Sequence, residues 1–298
     1  MTSLITGNRG FVGQHLMQLL VSRGEKDVIG FDLMNDYPTT EVLHDFMLRH
    51  KVDKIYHLGA RAFIPSCYSN EILNVINSNI TFTGNMLVAA KKAGVKKILY
   101  FSTSEIYGNQ KFLPIGPDHM PKPQSTYAAS KFAAENLCRT FCRESNMDVA
   151  VLRHFNIYGP WDTQPRIIPK IMSIYKHKKE THLGNTSVTR DFTYVTDACL
   201  AAYNVMNYPE SNGEIYTHGT GVETSVGDLI TMIEKLYGET TRPIETDEHL
   251  KRPWDVERLQ CDRKKYEKAF PNHVPIDISA GLKITKEWYD THVWPWEV

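Results

Sequence analysis

The chain has no surplus of either charge: its 298 residues carry 34 Lys plus Arg against 34 Asp plus Glu. That balance argues against a generally basic, nucleic-acid-coating surface. With 42% hydrophobic residues, it also excludes the disorder that high net charge and few apolar side chains produce. No apolar run approaches the roughly 20 residues that a bilayer-spanning helix needs. The 18 Gly and 15 Pro follow no period, which excludes a collagen-like chain. Cysteine is sparse and odd in number. Cys67, Cys138, Cys142, Cys199 and Cys261 make no paired framework and read as buried thiols in a reducing compartment. No His or Cys cluster has zinc-ligand spacing, so no metal is expected. The first residues show no basic segment followed by an apolar one. The expectation is a soluble cytoplasmic protein with neither a membrane nor a nucleic-acid partner.

What the chain does have is alternation. Thr2–Thr6, Asp27–Phe31, Lys54–Leu58, Lys97–Phe101 and Asp148–Leu152 read as short buried strands. Phe11–Ser22, Glu41–His50, Asn79–Ala93 and Tyr127–Glu144 read as helices between them. Strands and helices in this order predict βαβ units: a Rossmann-type, doubly wound parallel α/β sheet with both faces covered. After residue 156 the pattern loosens. Pro160, Pro165 and Pro169 crowd one stretch, Arg190–Thr196 reads as a strand, and Asp197–Met206 and Ser225–Tyr237 read as helices. This predicts a cofactor domain over 1–155. A smaller mixed α/β substrate-binding domain follows over 156–298, with some segments returning to pack on the first.

Gly7-Asn8-Arg9-Gly10-Phe11-Val12-Gly13 follows the first strand and opens the first helix. Glycines at these offsets permit a tight turn, close approach of backbone to a pyrophosphate, and close helix–strand packing. The helix N-terminus adds amide donors and a positive dipole end. Asp32 ends the second strand, 19 residues after Gly13. A carboxylate there accepts hydrogen bonds from an adenosine ribose and repels a 2′-phosphate, which favours NAD over NADP. A plain strand–helix turn is the bland alternative, and for Asp32 a solvated turn.

Tyr127-Ala128-Ala129-Ser130-Lys131 places a phenol and an amine on one helix face, with Cβ atoms roughly 5–6 Å apart. A nearby ammonium stabilises a phenolate, so Tyr127 is expected to be acidified and to act as a general base. Such a pair is common on any helix, and it gains meaning from the glycine turn upstream. Ser102-Thr103-Ser104-Glu105 begins where the fourth strand ends. In open α/β sheets ligands bind beyond the carboxyl ends of strands, so a hydroxyl here can hold a substrate oxygen while Tyr127 takes its proton.

Together these blocks resemble the extended short-chain dehydrogenase/reductase family, in its nucleotide-sugar epimerase/dehydratase branch. The likeness runs in order through GNRGFVG, HLGARA (57–62), NITFTGN, STSEIYG (102–108), YAASK (127–131), RHFNIYGP (153–160) and RDFTYVTD (190–197). It implies a catalytic set of Thr103, Tyr127 and Lys131. It implies NAD contacts from Gly7, Gly10, Phe11, Val12, Gly13, Asp32, Leu58, Gly59, Ala60, Asn79, Ser102, Tyr127 and Lys131. Asn35, Asp36 and Asp45 are candidates near the adenine. Asn156, Arg166, Arg190 and Arg252 (with Thr103) are expected to hold a nucleotide-diphosphate sugar, arginine suiting phosphate oxygens through its planar fork. For Arg190 the competing expectation is an ion pair with its neighbour Asp191, and for Asn156 a turn cap. The resemblance also implies a homodimer through Asn79–Ala93 and Tyr127–Glu144, with Phe132, Leu137 and Phe141 on offer.

The branch shares a first step, oxidation of the sugar C4 hydroxyl by NAD. The fate of the resulting ketone depends on the residues beside Thr103, here Ser104 and Glu105. Glu105 as base for the C5 hydrogen gives loss of water across C5–C6, so a 4,6-dehydratase acting on an NDP-hexose or NDP-N-acetylhexosamine is favoured. A 4-epimerase, a UDP-glucuronate-type decarboxylase and a keto-sugar reductase are the alternatives. Ser104 stands where dTDP-glucose dehydratases have Asp. A non-catalytic NAD-binding regulator is the reading from another class, and intact Thr103, Tyr127 and Lys131 speak against it.

Overall fold

Successive side chains of a strand face opposite sides of its sheet, and here both sides are apolar. The computed structural model describes residues 1–32, 37–67, 71–177, 182–238, 245–247 and 254–293. Its first half forms β1 (Thr2–Thr6), α1 (Phe11–Ser22), β2 (Asp27–Phe31), α2 (Thr40–His50), β3 (Val52–His57), α3 (Ile72–Ile76), α4 (Phe82–Lys92), β4 (Lys97–Thr103), α5 (Thr126–Ser145) and β5 (Asp148–His154). Leu4, Ile55, Ile98, Val149 and Val151 pack under α2, α4 and α5. Ile5, Tyr56, Leu99, Ala150 and Leu152 face the other way, under α1 and a later helix. Near-continuous apolar runs are what burial on both faces demands.

The second half adds β6 (Asn156–Tyr158), α6 (Ile167–His177), β7 (His182–Leu183), β8 (Thr189–Tyr194), α7 (Val195–Asn207), β9 (Ile215–His218), β10 (Glu223–Ser225), α8 (Val226–Tyr237), β11 (Glu245–Thr246), β12 (Arg258–Leu259), α9 (Lys264–Ala269) and α10 (Ile278–Asp290). The main sheet runs β2-β1-β3-β4-β5-β9, with every pairing parallel. The order in which strands are added switches sides between β1 and β3, which opens a crevice at their carboxyl ends. A smaller sheet runs β10-β8-β12 with β6 on β8, and β7 pairs with β11. Its core joins β8 to α6, α8 and α10.

Three local expectations change. The helix expected over Asn79–Ala93 is two pieces, a π-helical turn at Asn77–Thr81 and α4, and the helical stretch begins earlier, with α3. The strand expected over Arg190–Thr196 stops at Tyr194, because Val195 opens α7 with Asp197 in its first turn, where a carboxylate suits the helix dipole. A sixth strand, β9, joins the main sheet beside β5, from beyond residue 156. Its four residues, Ile-Tyr-Thr-His, carry too little period to announce themselves. No described helix is long and apolar enough to cross a membrane.

Candidate active site

The glycine turn sits at the crevice mouth. Gly7 has φ +71° and donates its N–H to the Phe31 carbonyl at 2.8 Å. A Cβ on Gly13 would lie 2.1 Å from the Gly7 carbonyl oxygen, and one on Gly7 would lie 3.1 Å from the Gly59 backbone. Only glycine allows this closeness. Gly10 caps α1 without a side-chain hydrogen bond, and the N–H groups of a helix's first turn have no partner within the helix. Phe11, Val12 and Gly13 occupy that turn. Asp32 accepts a hydrogen bond from the Arg9 N–H at 3.0 Å, which sets its carboxylate beside the same turn. A cradle of free amides, with a carboxylate at the adjacent strand end, fits a dinucleotide's pyrophosphate and ribose.

Leu58, Gly59 and Ala60 follow β3 directly. The Gly59 N–H donates to Thr6 Oγ1 at 3.0 Å, and a Cβ there would meet the Phe82 ring at 2.8 Å. Asn79 lies in the π-helical turn, and its side chain is fully used. Its Oδ1 accepts from the Arg61 N–H at 2.8 Å and the Ser78 hydroxyl at 2.8 Å. Its Nδ2 donates to the Arg61 carbonyl at 3.1 Å and Ser130 Oγ at 2.8 Å. Asn79 therefore ties the loop after β3 to α5.

Helix α5 is capped by Ser125, whose Oγ accepts from the Ala128 N–H at 3.1 Å, and it ends at Asn146 with φ +53°. The cap fixes Tyr127 and Lys131 within the first turns. Both are buried, as are Thr103 and Ser104 at the end of β4. Thr103 Oγ1 accepts from the Glu105 N–H at 3.2 Å. Burial pushes the Tyr127 phenol up to about 12, against the lowering by its hydrogen bond with Thr103. The half-buried Glu105 adds to the rise and Arg166 opposes it. This corrects the expected acidification: desolvation outweighs the positive charge that spacing alone suggests. Burial also lowers Lys131 to about 8. Cys67 and Ile64, on the loop after β3, pack against Tyr127.

Arg166 reaches this neighbourhood by way of a turn after β6. Trp161 there has φ +67° and stacks on His15 at 4.4 Å, an uncommon backbone for a bulky residue. Asp162 pairs with Arg166 and is buried. Asn156 opens β6, its Oδ1 buried and without a hydrogen-bond partner among the described residues. It pairs with Phe192 of β8, the strand that carries Arg190. Arg190 does not pair with Asp191. Its Nη1 donates to the Thr189 carbonyl at 2.9 Å, while Asp191 accepts from Thr220, Gly221 and Cys261. Arg252, Asn35 and Asp36 lie outside the described residues. Asp45 is on the exposed side of α2, beside His44 at 3.6 Å. Ser102 donates its hydroxyl to Glu135 at 2.7 Å, a partner that sequence reading missed.

Residues 3–219 match the NAD dependent epimerase/dehydratase family. The chain is 30% identical over 314 residues to a UDP-glucuronate 4-epimerase of Thermodesulfobacterium geofontis, covering 96% of this chain and 95% of that one. It is 27% identical over 323 residues to the mouse dTDP-D-glucose 4,6-dehydratase, covering 99% and 90%. A crystal structure of UDP-glucose 4-epimerase from Thermotoga maritima with UDP-glucose superposes with a TM-score of 0.89 at 26% identity, covering 97% and 98%. A glycine cradle with an aspartate at the next strand end, a buried Tyr–Lys helix beyond β4, and a match across most of the chain agree, and the protein belongs to the NAD-dependent epimerase/dehydratase family of extended short-chain dehydrogenases/reductases.

Proposed function

We propose that this enzyme is a 4,6-dehydratase acting on an NDP-hexose or NDP-N-acetylhexosamine through a 4-keto intermediate. The coarser reading, NAD-dependent modification of a nucleotide sugar, rests on the family and on the substrates its relatives are named for. The observation that carries the finer reading is Glu105. Its carboxylate follows Thr103 by two residues and lies close enough to Tyr127 to raise that phenol's pKa.

Bound NAD supplies the acceptor, and later the donor, of the hydride. Gly7, Gly10, Phe11, Val12 and Gly13 hold its pyrophosphate, and Asp32 its ribose. Thr103 orients the C4 hydroxyl and Tyr127 takes its proton. The Lys131 ammonium favours the phenolate form that this transfer needs. A C4 ketone acidifies the C5 hydrogen. Glu105 takes that proton and passes it to the C6 hydroxyl, which departs as water. The hydride then returns to C6, and C5 takes up a proton in place of the one Tyr127 removed from the C4 hydroxyl. Arg166, Arg190 and Arg252, with Asn156, hold the diphosphate sugar. A homodimer through α4 and α5 is part of the same reading. Val88 and Leu137 are exposed on those helices, whereas Phe132 and Phe141 are partly buried against the chain's own core.

The second reading is a 4-epimerase. It is favoured by the T. geofontis relative and by Ser104, which offers no carboxylic acid to the C6 hydroxyl. Mass spectrometry after incubation with UDP-glucose, UDP-N-acetylglucosamine, GDP-mannose and UDP-glucuronate separates them. Loss of water supports the dehydratase. Unchanged mass with altered sugar couplings by NMR refutes it in favour of the epimerase, and loss of carbon dioxide in favour of a decarboxylase.

A further inference from the structure

Helix α5 carries one more functional-looking group on the face of Tyr127 and Lys131. Glu135 follows Lys131 by four residues, as Lys131 follows Tyr127, so neighbouring Cβ atoms are roughly 5–6 Å apart along one side. Glu135 is fully buried. Its Oε2 accepts from Ser102 Oγ at 2.7 Å and Arg153 Nε at 3.0 Å, and its Oε1 accepts from Arg153 Nη2 at 2.5 Å. Arg153, on β5, also donates through Nη1 to the Tyr107 hydroxyl at 2.6 Å and the Pro117 carbonyl at 2.8 Å. A well-packed apolar pair holds such elements together as well, without desolvating two charges. A buried carboxylate here asks for a further reason.

Lys131 supplies one. Its ammonium lies 4.2 Å from the centroid of the Tyr100 ring. The titratable groups around it are His57 from β3, Tyr100 from β4, His154 and Arg153 from β5, and Tyr127, Glu135 and Cys138 from α5. Burial, helped by the charge of Lys131, pulls His57 and His154 down to about 3, so both are neutral. Burial pushes Tyr100 and Cys138 upward, so they too are neutral. Burial disfavours the charged form of Lys131, while Cys138 and Glu135 act the other way. With the thiol neutral, the group left to act on Lys131 from this helix face is the Glu135 carboxyl, held on both oxygens by the Arg153 guanidinium.

We propose that Glu135, with Arg153 as its counter-ion, is a positioning residue for Lys131: its buried carboxylate keeps the neighbouring amine protonated beside Tyr127, extending the Y-x-x-x-K pair to Y-x-x-x-K-x-x-x-E. The proposal rests on the reading of Tyr127 and Lys131 as the reacting pair.

The test is the titration of Lys131 in the full chain saturated with NAD. Lysine is labelled with carbon-13 at Cε, and the Lys131 signal is identified by its loss in Lys131→Arg. Glu135→Gln is expected to lower the Lys131 midpoint by about one pH unit or more, the effect of a unit charge at this spacing in an effective dielectric of about 20. Glu135→Asp keeps the charge and should titrate close to the unaltered protein. If the lone Arg153 prevents Glu135→Gln from folding, Glu135→Gln/Arg153→Met is read instead, with a smaller drop in the same direction. An unmoved midpoint in the folded variant overturns the proposal, since a purely packing role changes the melting temperature and leaves the midpoint in place. Undiminished turnover in Tyr127→Phe defeats the underlying reading separately, whatever the midpoint does.

Discussion

Replacing Gly13 with alanine should weaken NAD binding far more than the same change at Gly10. The Gly13 Cβ would stand 2.1 Å from the Gly7 carbonyl oxygen, 2.7 Å from Asn8 Cα and 2.9 Å from the Gly7 carbonyl carbon. Ordinary contact begins at 3.4 Å, so the turn must open by about 1.3 Å, the difference from 2.1 Å. All three atoms are backbone, so no rotamer change relieves the clash. Retreat toward β3 is also closed, because Gly7 already approaches the Gly59 backbone. Overpacking of this kind costs about 1–3 kcal/mol, which taken from cofactor affinity is about a 5- to 150-fold rise in Kd. A Cβ on Gly10 meets only the Gly7 oxygen, at 3.2 Å, and a shift of a few tenths of an ångström accommodates it. Gly24, at φ +83° with nothing within 4 Å, serves as a control. Alanine there costs about 1–2 kcal/mol of stability and no NAD affinity. The assay is calorimetric NAD titration of each folded variant, with urea unfolding alongside. Wild-type NAD affinity in Gly13→Ala would refute both the rigidity of the turn and the placement of the pyrophosphate on it.

The same geometry carries other expected outcomes. Tyr127→Phe should lower turnover by about 10²–10⁴-fold while NAD titration is unchanged; a loss of binding instead would assign Tyr127 a structural role. Glu105→Gln should bind NAD normally but lose exchange of the sugar C5 hydrogen with deuterated water, and exchange at the wild-type rate would remove Glu105 as the base. NAD should bind more tightly than NADP because of Asp32, which paired titrations check. His57 and His154 stay neutral in the fold down to about pH 3 but take up a proton near 6.5 when unfolded. The unfolded state therefore binds more protons between those values. Stability should fall by about 1.4 kcal/mol per pH unit for each histidine as pH drops from 6.5 toward 3. Urea unfolding at several pH values should show a flatter slope for His154→Gln, and equal slopes would contradict the burial argument.

Legibility in the sequence tracked contact range. The glycine turn spans seven residues, and the Tyr127–Lys131 pair spans one helical turn, so spacing alone implies their geometry. Asp32 was readable because a strand must end before its carboxylate can face the turn. Glu135 shares the face of Lys131, yet its partner Arg153 lies 18 residues further on, in another strand, and no local pattern joins them. Arg190 and Asp191 look like an ion pair when read in a line. In a strand, neighbours point to opposite faces, and Asp191 instead anchors the 220–221 turn. β9 was invisible because four half-polar residues become a strand only where β5 offers an open edge.

The sequence by itself determined the alternation of strands and helices, the glycine turn and the helical spacing of Tyr127 and Lys131. Each is written in neighbours a few residues apart, where periodicity fixes position. Only the tertiary structure decided the electrostatics. Burial raises the pKa of the Tyr127 phenol, a direction that its spacing to Lys131 does not announce. Segments far apart in the chain bring Cys67, Thr103, Glu105 and Arg166 around that one phenol. The physical reason is that desolvation and Coulomb energy depend on distance through space and on excluded water, and neither exists until the chain has folded.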